Sequence, residues 1–125
     1  MIGRLDEVVI DCDDTMRLAG FWQGVLGGEI ARQSAEWVAI HRPGAVTVSF
    51  QHVPEAKAGK NRVHLDVGVD DLDHAAALAV ALGARRIGQV VTDAMGGFLV
   101  MADPEGNEFC FVNGPTPEQD GELVA

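Results

Sequence analysis

Apolar residues along this chain fall into two stretches of helical period, each following a short run of alternating character. Leu18, Phe21, Trp22, Val25 and Leu26 recur at helical spacing, and so do Leu72, Ala75, Ala76, Ala79 and Leu82. That spacing lines up one face of a helix and predicts amphipathic helices over 15–26 and 72–82. Asp14, and Asp70 or Asp71, suit the N-caps, because a carboxylate accepts from the unpaired first-turn amides. Gly27 and Gly83 suit the C-terminal stops, where a left-handed backbone costs glycine little. Gly20 and Gly24 weaken the first helix slightly.

Short strands are expected around each helix. In the first half they are 8–10, 29–32, 36–40 and 45–52; in the second they are 63–69, 85–91, 97–102 and 108–112. Pro43-Gly44 and Pro104-Glu105-Gly106-Asn107 mark tight turns. A shift of 56 positions superimposes Leu26-Gly27 on Leu82-Gly83 and Asp14 on Asp70, so the chain reads as two copies of a β-α-β-β-β unit. The expected organisation is one domain over 1–125, with modules at about 4–53 and 62–113. A polar link covers 54–61 and a mobile tail 114–125.

Strand alternation sorts the side chains into two faces. Leu65, Val67 and Val69 would pack beneath a helix, leaving His64, Asp66 and Gly68 opposite. Phe109 and Phe111 would do the same, leaving Glu108, Cys110 and Val112. Val48 and Phe50 oppose Thr47, Ser49 and Gln51, and Val8 and Ile10 oppose Glu7, Val9 and Asp11. Two such mixed faces brought together would form a cup of polar groups among apolar walls, the general character of a small-molecule pocket. The alternative is that they are ordinary solvated faces of antiparallel sheets.

Charge narrows the partners. Nine Lys and Arg against nineteen Asp and Glu give a net −10. No basic cluster is available to neutralise phosphates, so nucleic acid is excluded as a partner, and an anionic membrane surface would repel the chain. The start of the chain, with only Val8 to Ile10 apolar before Asp11, reads as neither a signal peptide nor a membrane span. Cys12 and Cys110 form no zinc spacing and are expected as reduced thiols in a cytoplasmic protein.

The doubled unit resembles the vicinal oxygen chelate superfamily of glyoxalases, bleomycin-resistance proteins and extradiol dioxygenases, and most of all its small glyoxalase-like domains. The stretches that carry the resemblance are Phe21-Trp22-Gln23-Gly24-Val25-Leu26-Gly27, His64-Leu65-Asp66-Val67 and Asp103-Pro104-Glu105-Gly106-Asn107-Glu108-Phe109, spread over most of 4–113. The resemblance implies an α+β fold of two tandem βαβββ modules forming a curved mixed-sheet cup with helices outside. It also implies a homodimer. It says less about function, because this fold carries unrelated activities.

Metal-using members take four ligands, typically His, Glu or Gln, from the cup face. Carried onto this chain, those positions fall on His64, on Cys110, on Glu7 or Val8, and on Ser49 or Gln51. The fullest set is Glu7, Gln51, His64 and Cys110. Ni²⁺, Fe²⁺ and Mn²⁺ sites of this kind want imidazole and carboxylate, whereas a thiolate favours Zn²⁺ or Cu⁺. No cofactor is therefore expected, with a divalent metal at that quartet as the exception.

Other roles stand beside the metal. Asp66 could orient the His64 imidazole for acid-base work, with Glu7 or Glu108 nearby. Cys110 could act as a thiolate, although no base is placed beside it by the sequence. Trp37 is either a wall for a flat ligand or core, and Trp22 is core. His41, His52 and His74 receive no role. The lining expected for the cup is Glu7, Asp11, Trp37, Ser49, Gln51, His64, Glu108 and Cys110. The preferred function is binding of a small, partly apolar molecule in the cup without the usual metal, as in resistance or sequestration proteins. A lyase, isomerase or dioxygenase using His64 is the alternative, and a non-catalytic interaction module the third reading.

Overall fold

The computed structural model describes residues 1–94 and 96–114. The tail expected over 114–125 lies, Gly114 apart, outside the described residues. Two compact units follow one another, Met1–Gly59 and a second that begins at Lys60.

The first unit holds β1 (Glu7–Cys12), α1 (Thr15–Leu26), β2 (Glu29–Ser34), β3 (Trp37–His41) and β4 (Thr47–His52). Its sheet runs β1-β4-β3-β2. β1 is parallel to β4, and the other pairs are antiparallel. The helix starts where the sequence predicts, because the Asp14 carboxylate accepts from the Arg17 amide at 3.1 Å. It stops at Gly27, whose φ of 75° lets its N–H donate to Gln23. The helical face buries Leu18, Phe21 and Trp22 against Val38, Ile40, Val48 and Phe50 of the sheet. Burying side chains of this size contributes about 1.5–3 kcal/mol each.

The second unit holds β5 (Asp66–Gly68), α2 (Leu72–Ala81), β6 (Arg85–Arg86), β7 (Val91–Asp93), β8 (Gly96–Ala102) and β9 (Glu108–Asn113). β5 is parallel to β9, β9 is antiparallel to β8, and both β6 and β7 pair with β8. Asp71, not Asp70, caps α2, accepting from the His74 amide at 3.0 Å. Leu72, Ala76 and Ala79 are buried under the sheet with Leu99, Met101, Phe109 and Phe111.

Three sequence expectations change here. The strand expected over 85–91 is two short strands, because the Ile87 and Gly88 amides both donate to the one Val100 carbonyl and the ladder slips there. The strand expected over 63–69 pairs as regular β-structure only over Asp66–Gly68. Leu82 is 46% exposed rather than core. It is the C-cap, so it has left the buried face of α2.

The turn between β8 and β9 fixes where the last strand begins. Asp103 is buried, and its carboxylate accepts from the Glu105 and Asn107 amides, both at 2.9 Å, and from the Asn107 side chain at 3.1 Å. The Asp103 amide in turn donates to Asn107 O at 2.8 Å. This closed turn sets the register that puts Met101 opposite Phe109 and Val100 opposite Cys110.

Candidate functional site

Each unit pairs its first and last strands in parallel, and the pairing shows which positions correspond. In the first unit Val9 stands opposite Ser49 and Ile10 opposite Phe50. In the second, Asp66 stands opposite Cys110 and Val67 opposite Phe111. Matching the N-caps Asp14 and Asp71 requires a shift of 57. That shift puts Glu7 on His64 and Val9 on Asp66, and the strand pairing then puts Ser49 on Cys110. On this correspondence Glu7, not Val8, matches His64, and Ser49, not Gln51, matches Cys110.

In the second unit these positions bring three chemically useful groups together. His64 Nδ1 lies 3.3 Å from Asp66 Oδ1, with both side chains about half exposed. Ligand atoms of His64, Asp66 and Cys110 all lie within 4.8 Å of one another, the one such group of three or more His, Cys, Asp or Glu among the described residues. Two local causes produce it. His64 and Asp66 are two residues apart in extended chain, so they share a face. The Cys110 amide then donates to Leu65 O at 3.0 Å, which anchors β9 alongside them.

Electrostatics distinguish Cys110 from an ordinary thiol. Partial burial, then the Asp66 and Glu108 carboxylates, push its pKa up. The group is therefore a protonated thiol near neutral pH, contrary to what a free thiolate nucleophile needs. Glu108 also exchanges hydrogen bonds with Asn61, accepting from its amide at 3.4 Å and donating its own N–H to Asn61 Oδ1 at 3.2 Å.

The glyoxalase-like domain profile matches residues 7–112. The chain belongs to that family. Solved structures agree on the fold. A glyoxalase/bleomycin resistance protein/dioxygenase family enzyme from Burkholderia phytofirmans PsJN superimposes with a TM-score of 0.78 at 22% identity, covering 90% of this chain and 100% of that one. A fosfomycin resistance protein, FosX, from Mesorhizobium loti gives 0.73 at 19% identity over 94% of this chain and 98% of its own. A mutant of the Listeria monocytogenes FosX, solved with Mn(II) and 1S,2S-dihydroxypropylphosphonic acid, gives 0.77 at 15% identity over 94% of this chain and 95% of its own. No curated protein matches the chain significantly.

Within this glyoxalase-like domain, the remaining predicted residues sit on the first sheet. Asp11, Gln51 and Trp37 form one row across β1, β4 and β3, with Asp11 and Gln51 exposed and Trp37 half-buried. Glu7 stands opposite Thr47, four residues along β4 from Gln51, a separation of about 13 Å. Glu7 and Gln51 are thus not neighbours, and Ser49 lies diagonally between them. Ser49 is 0% exposed. Its Oγ and Glu7 Oε1 are both buried without a hydrogen-bond partner among the described residues. The metal-ligand reading of the sequence left Asp66 out. The signal for it was present, since residues two apart on a strand share a face.

Proposed function

We propose that this glyoxalase-like domain binds a small, partly apolar molecule on its polar strand faces, as a resistance or sequestration protein does. The observation that carries this reading is the His64–Asp66–Cys110 cluster, three polar groups converging within 4.8 Å at the start of the β5–β9 pair. The orphaned Glu7 Oε1 and Ser49 Oγ support it. A buried polar atom with no partner costs about 1–3 kcal/mol, which a polar group of a ligand or an ordered water would relieve. The half-buried Trp37, Phe98, Val100 and Val112 supply apolar surface on the same faces.

The Mn(II) held by the Listeria FosX is a poor match for this donor set. His64 and Asp66 offer the imidazole and carboxylate that manganese prefers, but Cys110 offers sulfur, a soft donor suited to other ions. No step of the proposed function runs through manganese. One observation favours an acid-base enzyme as the second reading: His64 Nδ1 lies 3.3 Å from the Asp66 carboxylate, close enough for that carboxylate to orient the imidazole.

A thermal-shift screen with aromatic and oxygenated small molecules tests the proposal, because a ligand of the native state raises the apparent Tm. Hits whose shift is lost in His64→Ala and Asp66→Asn are the expected outcome. An empty screen, or hits indifferent to both substitutions, overturns it. The expected homodimer and the reading of 1–125 as one domain of two modules belong to the same proposal. Light scattering checks the first. Cooperative unfolding as a single transition checks the second. Among the described residues no helix is long and apolar enough to cross a membrane.

A further inference from the structure

We propose that the outer face of α2 docks a second copy of this chain, the two α2 helices packing antiparallel about a two-fold axis. This contact rests on the homodimer expected with the proposed function, and it says which surface that dimer uses.

The composition of α2 leaves its outer face uncovered. Ala75 to Ala84 is a run of ten residues without a charged or polar side chain. Leu72, Ala76 and Ala79 take the face turned to the sheet. The opposite side is apolar as well: Leu78 is 56%, Val80 48% and Leu82 46% exposed, with Ala77 and Ala81 exposed among them. A helix that is apolar all round is normally a covered one. α1 differs, since Met16 is the one large apolar side chain it exposes and Arg17 stands next to it. The feature therefore belongs to one copy of the repeat.

Helix geometry favours a second α2 as the occupant. Leu78 and Leu82 are four residues apart, so they stand one above the other as a ridge. Ala77 and Ala81 form the adjacent, lower row at the same spacing. Such a face is self-complementary under a two-fold, the leucine ridge of each copy lying over the alanine row of the other.

Charge selects the antiparallel pairing. Asp70, Asp71 and Asp73 crowd the N-terminal end of α2. Arg85 follows the C-terminal end, where the Ala84 amide donates to Ala79 O. Arg86 is already paired with Asp73 at 3.2 Å, whereas Arg85 is exposed and has no side-chain partner among the described residues. Antiparallel packing brings Arg85 of each copy to the acidic end of the other α2, and it opposes the two helix dipoles. At a net −10 per chain, an uncharged face is where two copies meet with least repulsion. A pair of helices of about three turns buries less than the ~1,200 Å² at which stable interfaces begin, so the dimer is weak and concentration-dependent.

Sedimentation velocity of the full chain, from micromolar to millimolar concentration, tests this. Expected is a reversible monomer–dimer equilibrium whose dissociation constant rises roughly tenfold or more in Leu78→Lys and in Arg85→Glu. Adding Asp70→Lys to Arg85→Glu should restore the dimer, because reversed charges then face each other. A merely structural role for Arg85 gives no such rescue. All three side chains are exposed, and circular dichroism of each variant confirms that it is folded. A monomer at every concentration overturns this contact and the homodimer together. A dimer indifferent to Leu78→Lys, or an Arg85→Glu defect that Asp70→Lys does not repair, overturns the helix contact and leaves the homodimer standing.

Discussion

Asp66 stands directly opposite Cys110 in the parallel β5–β9 register. Partial burial of the sulfur, then the Asp66 charge beside it and Glu108 on the same strand as the cysteine, make the thiolate costly there.

Cys110 should therefore alkylate slowly at neutral pH, with a reactivity profile displaced to more alkaline pH than a free thiol. The contribution to stability follows in sign. The folded pKa lies above the unfolded one, so the stabilisation is complete below the ordinary thiol value and is lost as pH rises through the folded value. Asp66→Asn removes one raising charge and should shift the profile back toward neutrality. Iodoacetamide rates against pH, with the product mapped to Cys110, measure this; an unshifted profile in the variant would disprove the coupling.

The Asp103 turn should behave as a structural keystone of the second unit. Asp103→Ala strands the Glu105 and Asn107 amides that its carboxylate now satisfies, at a cost of about 2–4 kcal/mol. Urea unfolding reads this directly as a lowered midpoint. A loss below about 1 kcal/mol would mean the turn holds its shape without the carboxylate.

Leu72 and Leu82 bracket α2 and look alike in sequence, yet one is 6% and the other 46% exposed. Leu72→Ala should destabilise by about 2–4 kcal/mol, as core truncations do. Leu82→Ala should stay within about 0.5 kcal/mol. Equal losses at the two sites would contradict the observed end of the helix.

Gly27 and Gly28 should differ in the same way. Both have positive φ. A Cβ on Gly27 meets nothing within 4 Å, whereas on Gly28 it would sit 2.8 Å from the His41 carbonyl oxygen. Gly27→Ala should cost about 1–2 kcal/mol for its left-handed backbone, and Gly28→Ala distinctly more. Thermal unfolding of the two variants side by side decides it.

Much of the fold was legible because it is written in short range. Asp14 and Gly27 act on amides and carbonyls within one turn of α1, and Asp103 organises a turn only four residues away. Alternation placed His64 with Asp66, since a strand's face is fixed by counting in twos. The sequence could also show that two copies of one unit were present.

What it left open was every relationship between strands distant along the chain. Whether Ser49 or Gln51 matches Cys110 depends on how β4 slides along β1, and the shift of 56 read from the sequence becomes 57 at the N-caps once Asp71 is seen to cap α2. That register is set by helix-face packing of Val48, Phe50, Phe109 and Phe111, a cooperative choice among many side chains. Tertiary structure alone therefore decided that Asp66 meets Cys110, that the Ser49 hydroxyl is buried without a partner among the described residues, and that Gln51 lies away from Glu7. Local hydrogen bonds specify elements from within a few residues; the meeting of elements is specified by the core they share.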